Sequence, residues 1–287
     1  VSAMFILIIA VFWVASYAYG NPAILWVGVV FSLLMNIASY WYSDKLVLAM
    51  SGAKPVSAGE NPELHRIIEN LAITAGLPKP RVYFINDPAP NAFATGRDKN
   101  HAVVAVTRGL LERLDRSELE GVLAHELSHI GNRDMLISTV IVVLAGSIAI
   151  VSDMLLRMMW FGGGRSNDRD SRGNALIMAL AIAGAILAPF AAMLIRMAVS
   201  RRREYLADAS GVLLTRYPEG LVSALRKISA DPRPLQNAHT ATAHLFFENP
   251  FKADTKTGER KTPWVVKLFM THPPIEDRIR ALQQRNA

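Results

Sequence analysis

The chain alternates between long uncharged runs and segments in which apolar residues recur at regular intervals. Four uncharged or nearly uncharged runs stand out. Residues 1–19 and 23–41 carry no charge, residues 136–156 carry only Asp153, and residues 175–195 carry none. Each is close to the ~20 residues a helix needs to cross a hydrocarbon core. Asn21-Pro22 separates the first two. The first run lacks the basic leader and small-residue cleavage pattern of a signal peptide, and a second run follows directly, so a pair of spanning helices is expected there. The other two runs read as spanning on length and polarity, with a buried helical hairpin of a soluble protein as the alternative. Asp153 is expected near a membrane interface.

Residues 43–134 have a different texture, that of a soluble α+β segment. Leu64, Ile67, Ile68, Leu71 and Ile73 fall at helical spacing over residues 61–75, opened by Asn61-Pro62 as cap and first-turn proline. Residues 81–86, 92–95 and 102–107 read as strands, the last two joined by the turn-rich segment 96–100. A short helix is expected over 110–114. Ser117 with Glu120 reads as a capping box opening a helix over 118–130. Residues 200–287 read as soluble and mainly helical, with a polar, turn-rich loop over 232–262. The expected fold is therefore α+β: a mainly helical domain with a small sheet, plus four transmembrane helices. Its segments are residues 1–45 (spans one and two), 46–134 (first half of the soluble domain), 135–199 (spans three and four) and 200–287 (second half).

Composition supports this division. The 287 residues are 51% hydrophobic and 19% charged, where soluble domains carry about a quarter charged residues, and the mean hydropathy is +0.23. The formal charge of +7 does not point to nucleic acid as a partner. The arginines cluster beside apolar runs, as at Arg196 and Arg201 to Arg203, where they suit lipid head groups, and no aromatic–basic interleaving is present. The connection at Gly20-Asn21-Pro22 is uncharged, whereas Lys45 and Lys54 follow the second run and Arg201 to Arg203 the fourth. The soluble halves are thus expected on the cytoplasmic side. Arg157, Arg165, Arg169 and Arg172 between runs three and four, against Asp168 and Asp170, weaken that assignment. There is no cysteine, so any zinc would be held by imidazole and carboxylate.

The candidate chemistry lies in the helix over 118–130. His125 and His129 are four residues apart, on one helical face, so both imidazoles can meet one ion, with Glu126 beside them as a general base. The bland alternative is two surface histidines on an amphipathic helix. Val122, Leu123, Ala124, Leu127 and Ile130 argue instead for a buried helix, in which an unpaired Glu126 would be costly. A catalytic zinc site needs a third protein ligand. Glu204 is the candidate, because a hairpin of spans three and four would return it to the histidine helix; the alternative is that Glu204 pairs with the arginines before it. Asp208, four residues on, is suited to receive the free ring N–H of a ligand histidine.

Beyond the histidine helix, three motifs carry a resemblance: Asn91-Ala92-Phe93-Ala94-Thr95-Gly96, Ser200-Arg201-Arg202-Arg203-Glu204-Tyr205 with Ala207-Asp208, and Thr271-His272-Pro273-Pro274 with Arg278. With the four-run layout they cover nearly the whole chain, which resembles the integral-membrane zinc endopeptidases of the HtpX type. These are relatives of the CAAX prenyl endopeptidases and, more distantly, of thermolysin-like gluzincins. The resemblance implies one zinc ion per chain and proteolytic quality control of membrane proteins in a bacterial inner membrane. It places Asn91 and Ala92 on an exposed edge strand that binds substrate, which an extended peptide could complete. It also implies that His272 reaches the zinc site to stabilise an oxyanion, against an ordinary capping role. Two other readings remain open here. One is a prenyl-protein endopeptidase with the same site, for which four spans are too few to build the membrane chamber of that family. The other is a non-catalytic membrane scaffold with a structural zinc, against which Glu126 argues, since a structural site needs no base.

Overall fold

The computed structural model describes residues 9, 12, 13, 16, 17, 20–135, 201–233, 235 and 273–284. The chain divides into two compact units, Val1–Tyr42 with Val140–Leu194, and Ser43–Thr139 with Ile195–Ala287. In the first, helix α1 (Pro22–Met50) begins at the proline that separates the two apolar runs. Gly20 takes the left-handed conformation and the Asn21 side chain accepts from the Ala23 N–H, so chain direction and helix start are set together. α1 continues beyond the uncharged run 23–41 to Met50. Ser43-Asp44-Lys45 contains no helix breaker, and Asp44 is held by Arg81 at 2.9 Å. Trp26, Val27, Val30, Leu34 and Ile37 are exposed on α1. Among the described residues no helix is long and apolar enough to cross a membrane. The four expected spans are therefore not shown, and those over 136–156 and 175–195 lie outside the described residues.

The second unit is mainly helical with a small mixed sheet. Strands β1 (Lys54–Pro55), β2 (Arg81–Ile85), β3 (Ala92–Thr95) and β4 (Val103–Thr107) are ordered β1-β2-β4-β3. Among the described strands only β2 and β4 pair in parallel. Every residue of β4 is buried, which is why Val103 to Val106 form an unbroken apolar run rather than an alternating one. Helix α2 (Pro62–Thr74) opens with the Asn61 side chain accepting from the Leu64 N–H at 3.1 Å, as a proline-led N-terminus requires. Helix α3 (Arg108–Arg113) follows β4 directly.

Helix α4 (Arg116–Gly131) runs through the centre, packed by α2, β3, α5 (Arg201–Thr215) and α6 (Pro218–Ser229). Every residue from Gly121 to Ser128 is buried, which marks a helix covered on all sides rather than a surface one. Its N-terminal cap corrects the expected Ser117–Glu120 box. The cap is Asp115, whose side chain accepts from the Glu118 N–H at 3.0 Å, while Glu118 accepts from the Asp115 N–H at 2.9 Å. Asp115 wins because Glu118 is also met by the Ser223 hydroxyl at 2.6 Å and by Lys227 at 2.7 Å, so one buried carboxylate caps α4 and anchors α6. Glu120 pairs with Arg116 instead. Helix α7 (Ile275–Gln284) lies against α5 and α6 and adds Leu282 to the core formed by Leu64, Ile68, Val104, Leu123, Leu127 and Leu225.

Glycines set the helix spacing. A Cβ on Gly121 would sit 2.8 Å from the Leu221 backbone nitrogen, and one on Gly211 would sit 3.0 Å from that of His125. Backbones approach this closely only without side chains between them. Gly211 is what allows α5 to lie directly against the His125 turn of α4.

Candidate metal centre

His125 and Glu126 project from the buried middle of α4 and His129 from its last turn, and Glu204 and Asp208 from the first turns of α5. The two imidazoles stand edge to face, their centroids 4.8 Å apart and their Nε2 atoms 3.2 Å apart. Glu204 places one carboxylate oxygen 3.8 Å from His125 Nε2 and the other 3.5 Å from His129 Nε2. The structure thus brings together the three residues expected to share an ion, as one cluster of donor atoms all within 4.8 Å of one another.

Behind the donors sit carboxylates that fix the rings. Asp208 Oδ1 lies 2.8 Å from His125 Nδ1, and Asp134 Oδ2 lies 3.2 Å from His129 Nδ1. A carboxylate only accepts, so each Nδ1 carries a proton, and the two Nε2 atoms face each other across the site. Arg278 donates through Nε to Asp208 Oδ2 at 2.9 Å and through Nη2 to Asp208 Oδ1 at 2.6 Å, a bidentate pair. Its Nη2 is also 3.4 Å from His125 Nδ1, but that nitrogen already donates to Asp208, so the contact is proximity rather than a second hydrogen bond.

The electrostatics follow. Burial pushes His125 down to about 4, the Arg278 charge adding to it, while Asp208 opposes the shift. Burial also pulls against a charged His129, yet Asp134, Glu204 and Glu126 outweigh it and raise this ring to about 9. Burial would raise Asp208, but Arg278 and His125 hold it well below the usual carboxylate range. Glu126 is buried, and its charge acts on both His129 and Arg278.

The donor set fits a divalent zinc ion. Two ring nitrogens 3.2 Å apart, with a carboxylate 3.5 and 3.8 Å away, form a set of atoms that one divalent cation would bridge once His129 has lost its second proton. Ligands about 2.0–2.1 Å from a tetrahedral zinc would lie about 3.3–3.4 Å from one another, close to these separations. The set is imidazole and carboxylate, as a chain without cysteine requires.

Other expected site residues are placed differently. Asn91 and Ala92 were expected on an exposed edge. Ala92 begins β3, the last strand of the described sheet, but the two residues are only 3% and 1% exposed. The Thr107 hydroxyl holds this entry, accepting from the Asn91 N–H at 2.8 Å and donating to the Ala89 carbonyl at 2.7 Å. His272 lies outside the described residues. Two residues were not given a role by the sequence reading. Arg278 was named only as a motif match, and its spacing from Pro273-Pro274 says nothing of its 0% exposure. Asp134 follows His129 by five residues, a spacing that no continuous helix would bring back to the ring.

Comparison with known proteins places the chain in a family. The profile of Peptidase family M48 matches residues 58–286. A protease HtpX homolog of Thermoanaerobacter pseudethanolicus is 49% identical over 88% of this chain and 82% of its own length. Homologs of the same description from Tropheryma whipplei and Pyrococcus furiosus are 45% and 49% identical, over 97% and 93% of this chain and 94% and 89% of theirs. A crystal structure of Ste24p from S. mikatae superposes with a TM-score of 0.51 at 18% identity, over 98% of this chain. This chain spans 62% of that protein's length, and at that identity the likeness is one of fold. The chain belongs to Peptidase family M48 and is a metalloprotease.

Proposed function

We propose that this metalloprotease is a membrane-embedded zinc endopeptidase that hydrolyses peptide bonds in misfolded or damaged membrane proteins. The observation that carries the reading is the convergence of His125, His129 and Glu204 with Glu126 on the same buried helix. His125, His129 and Glu204 would hold one zinc ion per chain. When bound, zinc supplies Lewis acidity toward a carbonyl oxygen and toward water. Glu126 takes the proton of the attacking water and delivers it to the leaving nitrogen. Asp208, kept anionic by Arg278, holds His125 in the tautomer that presents Nε2 to the site. Asn91 and Ala92, at the entry to β3, are the candidates for aligning an extended substrate. His272 is the candidate for stabilising the oxyanion, a role in which a single donor is worth about 3 kcal/mol in comparable enzymes.

Membrane embedding is supported by the four uncharged or nearly uncharged runs and by the exposed apolar side chains of α1. A site on the cytoplasmic face is supported by Lys45, Lys54 and Arg201 to Arg203 flanking the apolar runs. On this reading residues 1–45 and 135–199 are the membrane segments, and residues 46–134 and 200–287 the two halves of the protease domain.

The reading is tested with full-length protein in detergent and two substrates, casein and an unfolded membrane protein. Cleavage of both should stop with a chelator and return with added zinc. Cleavage that persists after metal removal would exclude the mechanism. Selective cleavage of a farnesylated peptide over the unfolded protein would favour a prenyl-protein endopeptidase.

A further inference from the structure

Both imidazoles of the site are backed by a carboxylate and an arginine, but the two sets are built differently. His125, Asp208 and Arg278 are sealed, with side chains 2%, 3% and 1% exposed. Behind His129 stands Asp134, with Oδ2 3.2 Å from His129 Nδ1 and Oδ1 3.7 Å from Arg203 Nη1. These three side chains are 15%, 12% and 20% exposed. The chain makes a specific detour to achieve this. Five residues along an uninterrupted helix would carry Asp134 about 140° round from His129. Instead α4 stops at Gly131, and Arg133 takes a φ of 61°, which side-chain-bearing residues rarely adopt. That turn returns Asp134 to the ring. Arg203 immediately precedes Glu204 on α5.

We propose that Asp134, clamped by Arg203, is a positioning residue that fixes the His129 ring and ties the Glu204 turn of α5 to the end of α4. It acts on the metal site through His129 and Glu204 and touches neither substrate nor metal. The proposal rests on the zinc-peptidase reading. Partial exposure makes the Arg203 contact the weaker and more salt-sensitive link, whereas the Asp134–His129 bond sets the tautomer.

The test is zinc affinity of the full-length protein in detergent, measured by chelator competition, with the visible spectrum of the cobalt(II)-loaded form as a readout independent of activity. Asp134→Ala should lose about 10- to 100-fold in zinc affinity and shift the cobalt bands. Asp134→Asn, whose amide oxygen still accepts from Nδ1–H, should recover part of the loss. Arg203→Gln should weaken zinc binding several-fold at low salt, and its effect should be smaller in the Asp134→Ala background. Zinc affinity within about twofold of wild type in Asp134→Ala, with an unchanged cobalt spectrum, overturns the proposal. If that variant does not fold, unchanged affinity in both Asp134→Asn and Arg203→Gln overturns it equally. His125→Ala, which should lose zinc outright, separates the two levels: zinc retained there would sink the metal-site reading itself.

Discussion

At the scale of single residues, the site depends on buried charges that neutralise one another. Arg278 meets Asp208 through two hydrogen bonds, both side chains sealed from solvent. Removing one member of such a pair leaves a buried charge uncompensated, a loss of about 3–5 kcal/mol. Arg278→Met should therefore lower unfolding stability by that order, measured by denaturant unfolding in detergent, and should weaken zinc binding as Asp208 loses its hold on His125. A variant as stable as wild type would contradict it. His125, Glu126 and His129 were legible because their chemistry sits within five residues of one helix. Glu204 was named because a hairpin of spans three and four would return it to the histidine helix, and Asp208 because four residues put it on the same helical face as Glu204. Arg278 was not legible, since it meets Asp208 across 70 residues and carries no local signature of burial. Asp134 was hidden by the left-handed turn at Arg133, which no periodicity announces.

At the scale of elements, α4 and α5 are held at the distance that Gly211 permits. Alanine in a helix interior ordinarily gains about 1 kcal/mol over glycine, but here its Cβ would press on the backbone of Ala124 and His125 at 3.0–3.2 Å. Gly211→Ala should push α5 outward and move Glu204. Since a ~1 Å misplacement costs about 100-fold, a smaller shift should cost on the order of tenfold in kcat/KM. Full activity with a gain in stability would show that the close approach is immaterial. Element boundaries were mostly readable from caps and periodicity, as at Asn61-Pro62 and over β3. The box at Asp115 was not, because what favours it is the contact of Glu118 with Ser223 and Lys227 on α6, more than 100 residues away.

A second clamp joins α3 to the segment after α6. Asp231 accepts from Arg233 at 2.6–3.2 Å and pairs with Arg113 at 2.8 Å. Burial works to raise this carboxyl, but the two guanidinium groups and the Arg233 N–H bring it below its ordinary value. A pKa that is lower folded than unfolded contributes stability that is complete above the unfolded value of about 3.9 and is lost as pH falls through the folded one. The stability difference between wild type and Asp231→Asn, followed by thermal unfolding, should therefore be constant near neutrality and shrink below about pH 4. A difference independent of pH would contradict the clamp.

At the scale of the whole molecule, a small sheet and the helices described in one unit assemble a site from three separate stretches of chain, α4, α5 and α7. The mainly helical character with a small sheet was readable from periodicity. The burial of β3 was not, because an alternating strand and a covered one differ only in what packs beside them. The apolar runs and the exposed face of α1 predict that the chain partitions with bilayers. Full-length protein should stay with membranes through an alkaline carbonate wash, and release into the supernatant would contradict membrane embedding. The central claim is that one zinc ion, gripped by His125, His129 and Glu204, works with Glu126 as proton carrier. The most direct test pairs zinc content with casein cleavage for the wild type and Glu126→Gln. The account predicts about one zinc per chain in both proteins and a loss of cleavage of at least about 100-fold in the variant. Cleavage by Glu126→Gln at the wild-type rate with zinc retained would contradict it.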